Sequence, residues 1–247
     1  MTHAPGSFCT SVLRTRDAER AGEFYAALMG WTVKGVAGAA EHRLFESDGK
    51  TVAGIQQVGD DNDIWIPHVS VEDINQSIAN ATALGATLLD TRDYAGLARL
   101  ASLNDLEGAT FGLWQPQPHV GADFMEQVGS LWWIEVLSND VSRACAFYER
   151  LFGWTSTARP LEPFDSYTFF KRGDVHEGGL LPIGPDWGVS PRWNSIFAVE
   201  DGNATIARAV ALGGCEIFTH TVPKAGLISV LEDPGGAGFV IRGPEPA

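Results

Sequence analysis

The chain has 247 residues, 45% apolar and 19% charged, which suits two domains of ordinary size and argues against disorder. Its 17 Lys and Arg against 31 Asp and Glu leave a net charge of −14, so nucleic acid and anionic membranes are not expected partners. No apolar run is long enough to span a membrane, the start MTHAPGSFCT lacks the pattern of a secretory leader, and three cysteines form no disulfide framework; a cytoplasmic location is expected.

The first element is a strand over 8–14. Asp17 suits a helix N-cap, and Ala21, Phe24, Tyr25 and Leu28 follow at helical spacing, giving one apolar face. Gly30 suits the helix end, and Phe24, Tyr25 and Trp31 read as core. Three β-rich runs follow near 31–36, 41–47 and 51–57, with Asp48-Gly49 as a hairpin turn. A second β-α-β-β-β unit has a strand at 65–71, a helix at 73–84 and strands near 86–90, 98–103 and 109–114. The Pro- and Gly-bearing stretch 115–130 then reads as a connection.

The second half repeats the first. FCTSVLRTRDAERAGEFYAALMGWTV at 8–33 aligns with LWWIEVLSNDVSRACAFYERLFGWTS at 131–156. A later block, containing Trp65 and Val71-Glu72-Asp73, aligns with Trp193 and Val199-Glu200-Asp201. The offset grows by five residues between the blocks, so the extra residues fall within 157–192. The expected layout is α+β: four tandem βαβββ units in two domains, 1–118 and 129–247, joined by a linker at 119–128.

Several residues stand out chemically. Glu135 lies in the otherwise apolar strand WWIEVLS, where it is either a base or ligand anchor, or a carboxylate paired with an arginine or lying near the strand end in water. His68 in WIPHVSV is either a structural histidine or a ligand contact. Trp114 and Trp133 offer stacking surfaces, whereas Trp132 alternates to the opposite face and reads as packing. Arg14 is either an anion contact or a solvated strand end.

The repeated strand-x-D-x-x-x-(A/S)-x-x-FY-x-x-(L/M)-(F/M)-G-W pattern, with EDPGGAGFVI at 232–241, resembles the vicinal oxygen chelate superfamily of glyoxalase, bleomycin-resistance and dioxygenase proteins. The two-domain layout and W-x-E in strand 131–137 resemble its actinobacterial "hydroxylase / 27 kDa antigen" branch. The resemblance implies two domains, each an open eight-stranded half-barrel with flanking helices and a ligand on the concave face. In the enzymes of the superfamily that face also holds a divalent metal. Carried onto this chain, the metal positions fall on Thr10, Ile66 and Gly112 in the first half, with Gln56 as a fourth. In the second half they fall on Trp133, Asn194 and Val240, with Leu181 as a fourth. Such residues do not converge as His, carboxylate or thiolate ligands, so neither a metal nor another cofactor is expected.

The resulting expectation is metal-independent binding of an apolar, aromatic or polycyclic small molecule, in drug sequestration, self-resistance or natural-product biosynthesis. The ligand contacts expected are Thr10, Val12, Ile66, Gly112, Trp114, Trp133, Asn194, Ile196 and Val240. The alternative is a cofactor-free isomerase, lyase or cyclase using Glu135 or His68, with metal-dependent glyoxalase or dioxygenase chemistry ranked behind it. Monomer and homodimer both remain open, and the second domain is the favoured location of the pocket.

Overall fold

A computed structural model describes residues 3–59, 62–94, 96–223 and 225–245, so the outermost residues of both expected domains lie outside it. Four βαβββ units follow one another. The first is β1 (Phe8–Thr15), α1 (Ala18–Met29), β2 (Thr32–Val36), β3 (Ala39–Ser47) and β4 (Lys50–Gln57). The second is β5 (Ile64–Ser70), α2 (Ile74–Ala83), β6 (Thr87–Asp93), β7 (Ala98–Asn104) and β8 (Thr110–Pro116). The third is β9 (Leu131–Ser138), α3 (Val141–Phe152), β10 (Thr155–Leu161), β11 (Phe164–Arg172) and β12 (Val175–Pro182). The fourth is β13 (Arg192–Ala198), α4 (Gly202–Ala211), β14 (Cys215–Val222), β15 (Gly226–Glu232) and β16 (Gly238–Gly243).

Every helix begins on an aspartate. The carboxylates of Asp17, Asp73, Asp140 and Asp201 accept backbone N–H groups of Arg20, Asn75 and Gln76, Arg143, and Ala204, filling donors that a first turn leaves open. Helices α1 and α3 end at Gly30 and Gly153, both left-handed with φ near 70°, a conformation that disfavours side chains with a Cβ. Asp48 and Gly49 both take positive φ, as a tight hairpin turn requires.

The strands form two eight-stranded sheets, each the open half-barrel that the tandem units imply. Their orders are β2-β3-β4-β1-β5-β8-β7-β6 and β10-β11-β12-β9-β13-β16-β15-β14. The central pairs β1/β4, β5/β8, β9/β12 and β13/β16 are parallel, and the pairs toward the edges are antiparallel hairpins.

Packing gathers the chain into two compact units. One comprises Met1–Cys9, Ile66–Gly121 and Ile134–Asn194; the other comprises Thr10–Trp65, Ala122–Trp133 and Ser195–Ala247. Each has a buried aromatic core tied by a Trp–Tyr–Asp chain. In the first, Trp193 Nε1 donates to Tyr148 Oη (2.7 Å), and Tyr148 donates to Asp105 (2.7 Å). In the second, Trp65 Nε1 donates to Tyr25 Oη (2.8 Å), and Tyr25 donates to Asp233 (3.0 Å). Burial and the facing aspartates push both phenols well above their ordinary range. Phe24, Trp31, Phe147 and Trp154 are buried in these cores. Among the described residues no helix is long and apolar enough to cross a membrane.

Candidate functional site

Strand alternation separates two faces of the second sheet. Trp193 and Phe170 point toward α3, where both meet Tyr148. Their neighbours Asn194, Phe169 and Tyr167 therefore point away from the helix, as do Glu135 and Leu137 on β9. On that face Glu135 accepts hydrogen bonds from the side chains of Tyr167 and Asn194. The Asn194 carbonyl oxygen accepts in turn from Arg192 Nε (3.2 Å). The result is a polar chain, Arg192–Asn194–Glu135–Tyr167.

A glycine makes this chain possible. Gly179 is the register partner of Glu135, and a Cβ at Gly179 would fall 1.8 Å from Tyr167 Oη. The phenol occupies the space that a side chain would fill and so reaches the carboxylate. Glu135 remains partly open to solvent. Its surroundings are nevertheless desolvating enough to push its carboxyl from an ordinary 4.5 up to about 7, against the opposing effect of its two hydrogen-bond donors. Burial also lowers the Arg192 guanidinium. Around this chain the wall is apolar. Leu137, Leu181 and Tyr167 are buried together, and Leu161, Phe164, Phe169, Ile183 and Val189 pack against them. Trp187 stands 43% exposed beside Phe164, with ring centroids 6.1 Å apart.

The structure locates the five extra residues of the second half. Thr32 corresponds to Thr155, Gln56 to Leu181 and Trp65 to Trp193, so the offset steps from 123 to 125 to 128. Two residues enter at the bulged end of β10, and three enter the loop 183–191. These segments supply Leu161, which pairs with Phe164 at the start of β11, and Ile183, Trp187 and Val189, so the length difference between the halves has become part of the wall.

Of the other expected site residues, Thr10, Val12, Ile66, His68, Gly112 and Trp114 belong to the first sheet, whereas Trp133, Ile196 and Val240 belong to the second. His68 is buried, with its ring above Gly112, where a Cβ would approach the imidazole to 2.2 Å. The His68 Nδ1 lies 2.8 Å from the Ile66 carbonyl oxygen, and Cys9 Sγ donates to the His68 carbonyl oxygen. Trp114 meets His68 edge to face and contacts Tyr94 and His119, and its Nε1 donates to the His119 carbonyl. His68, Ile66, Gly112 and Trp114 thus share one packed cluster. Thr10 and Val12 are buried along β1, and Ile196 and Val240 are register partners. Trp133 is half-buried near Trp132, and the Trp132 ring carries Arg242 at 5.0 Å. Nothing in the sequence ties Glu135 to Tyr167 or Arg192. The alternation in FDSYTFF gives Tyr167 a face, but only the strand register brings it to Glu135.

Two open clefts, of about 290 and 300 Å³, lie one in each compact unit. The carboxylates of the first are engaged. Asp63 accepts from Thr15 and Arg16, and Asp233 accepts from Tyr25, Gly235 and Ala237.

Residues 10–114 and 133–242 match the glyoxalase-like domain. The chain belongs to the glyoxalase-like family. Within this family it is 32% identical over 246 residues to the glyoxylase-like protein CFP32 of Mycobacterium tuberculosis, covering 95% of this chain and 93% of that one. It is 30% identical over 257 residues to the anthracycline biosynthesis protein DnrV of Streptomyces peucetius, covering 96% and 93%. A Mn(II)-bound glyoxalase from Novosphingobium aromaticivorans shares the fold, with a TM-score of 0.64, 16% identity, and coverage of 98% and 83%. The glyoxalase-like fold therefore raises the question of a divalent metal. The strand positions that the resemblance assigns to a metal carry Thr10, Ile66 and Gly112, or Trp133, Asn194 and Val240. Among the described residues no three His, Cys, Asp or Glu side chains converge to hold an ion. This donor set does not fit a divalent cation.

Proposed function

We propose that this glyoxalase-like protein binds a planar, aromatic or polycyclic small molecule of secondary metabolism on the Glu135 face of its second sheet, without a metal. The observation that carries the reading is a half-buried glutamate whose carboxylate is desolvated and held by Tyr167 and Asn194 within an apolar and aromatic wall. Such a wall takes up a flat hydrophobic ligand, and a single convergent polar group orients its hydroxyl or amine. A relative named for anthracycline biosynthesis supports a role beside polycyclic metabolites, whether as sequestration or as an accessory to biosynthesis. The side chains at the metal positions support binding that needs no cation.

Titration of the protein with a hydroxyanthraquinone, followed by tryptophan fluorescence, tests this reading. Elemental analysis by mass spectrometry is run on the same sample. Saturable quenching that persists after chelation, and weakens in Glu135→Gln and Trp187→Ala, is the expected result. A stoichiometric tightly held metal, or quenching indifferent to both substitutions, refutes it.

A second reading rests on the Glu135 carboxyl titrating at about 7. A carboxyl poised near neutrality takes a proton from an acidic C–H or O–H and returns it to the same molecule, the balance that a cofactor-free isomerisation requires. Solvent deuterium exchange into the bound ligand, present in the wild type and lost in Glu135→Gln with binding retained, distinguishes the enzyme from the binding protein. His68 is less suited to that work, because its imidazole is packed over Gly112.

A further inference from the structure

We propose that the first sheet carries a second binding site of different chemistry, for a small organic carboxylate, built on Arg14, Gln56 and His42. These residues stand in one row across three adjacent strands. Arg14 on β1 is the register partner of Gln56 on β4, and Gln56 is the register partner of His42 on β3. Register partners share a face, so the three side chains are lateral neighbours. They are only 7%, 4% and 2% exposed.

The fold does not demand polarity in this row. The same row of the second sheet holds Leu137, Leu181 and Tyr167, which form an apolar cluster. The first sheet thus buries a guanidinium and an amide where its own repeat buries hydrocarbon, and such burial is unfavourable unless the groups are partnered. Arg14 and His42 are engaged by neighbours. Gln56 Nε2 is buried with no hydrogen-bond partner. A buried donor without an acceptor in a native protein asks for a group that completes it.

The chemistry of that group follows from the row. The Gln56 Nε2–H and the Arg14 guanidinium only donate, and the guanidinium repels cations. The complement is an anionic oxygen, and the planar, two-oxygen carboxylate suits an amide donor beside a guanidinium. The exposed Glu41 carboxylate stands 3.9 Å from His42 Nε2, at one end of the row. All these residues belong to Thr10–Trp65 of a single compact unit, so the proposal is independent of the Glu135 site.

Thermal unfolding of the full chain in sodium acetate and sodium benzoate, against sodium chloride at matched ionic strength, tests it. The wild type should show a saturable rise in Tm with the carboxylates, about 3–6 °C at tenfold excess over Kd. Gln56→Leu, which installs the residue of the second sheet, should remain folded and lose that rise, and Arg14→Met should lose it too. Should the leucine variant not fold, Gln56→Glu serves, because it keeps the side-chain size while replacing the donor with a negative charge. A carboxylate response no greater than that to chloride, or one retained in the Gln56 variants, overturns the proposal.

Discussion

Glu135→Gln should stabilise the protein at and above neutral pH. The carboxyl titrates at about 7 in the folded chain against an ordinary 4.5. Between those values the folded chain holds a proton that the unfolded chain has released. The contribution of this group is therefore fully present below about pH 4.5 and falls as the pH rises through 7. Each unit of pKa difference corresponds to about 1.4 kcal/mol, so the ionised carboxylate costs up to about 3 kcal/mol at pH 8. The partial solvent access of Glu135 makes that a ceiling. Glutamine keeps the size of the side chain, still accepts from Tyr167 or Asn194, and cannot ionise. Urea unfolding of both proteins in parallel at several pH values between 5 and 8 is the assay. The stability of the variant relative to wild type should climb by about 1–3 kcal/mol over that range and level off above the folded pKa. Taking the difference cancels Glu177 and Asp233, whose carboxyls burial also raises. Two pH profiles that run parallel would refute the claim that Glu135 is desolvated in the folded chain.

Three further outcomes follow from the geometry. Gly179→Ala places a Cβ against Tyr167 Oη, so it should cost about 1–3 kcal/mol and detach the phenol from Glu135. Denaturation reads the first effect, and NMR titration of the Glu135 carboxyl reads the second, as an upward shift. Tyr148→Phe removes the acceptor of Trp193 and the donor to Asp105, and should destabilise by about 1–3 kcal/mol for each group orphaned. The double variant with Trp193→Phe should recover part of that loss in a mutant cycle. Asp140→Ala removes the cap of α3 and should cost about 1 kcal/mol, whereas Asp140→Asn should cost less, both measured by thermal unfolding.

The architecture was legible because its signals are local. Four aspartates, each ahead of an apolar stripe, announce four helices, and Asp48-Gly49 announces its hairpin. The repeat then ties the units into two pairs. Glu135 was visible as an acid in an apolar strand, and Asn194 was visible through the resemblance. That one bonds to the other depends on β9 lying beside β13, which no single segment shows. Tyr167 was hidden for a related reason. Its reach depends on Gly179, and only the β11/β12 and β12/β9 registers bring that glycine under the phenol. His68 stood open between structural and functional roles because the residue that makes room for its ring, Gly112, lies on another strand.

The make-up of the two compact units carries a consequence for how the chain is born. Ribosomal synthesis delivers residues in order, and the unit containing Tyr148 draws on Ile66–Gly121 and Ile134–Asn194, so its core closes soon after Asn194 has emerged. The other unit joins Thr10–Trp65 to Ser195–Ala247. The part of β1 from Thr10 onward, α1 and the phenol of Tyr25 must wait for Asp233 and Phe239. Throughout that interval an apolar helix face and a strand-rich segment remain without their final partners, the condition under which nascent chains associate wrongly or recruit chaperones. Thr10–Trp65 is thus made early but secured late, and the yield of soluble protein should depend on the pace at which Ser195–Ala247 is translated.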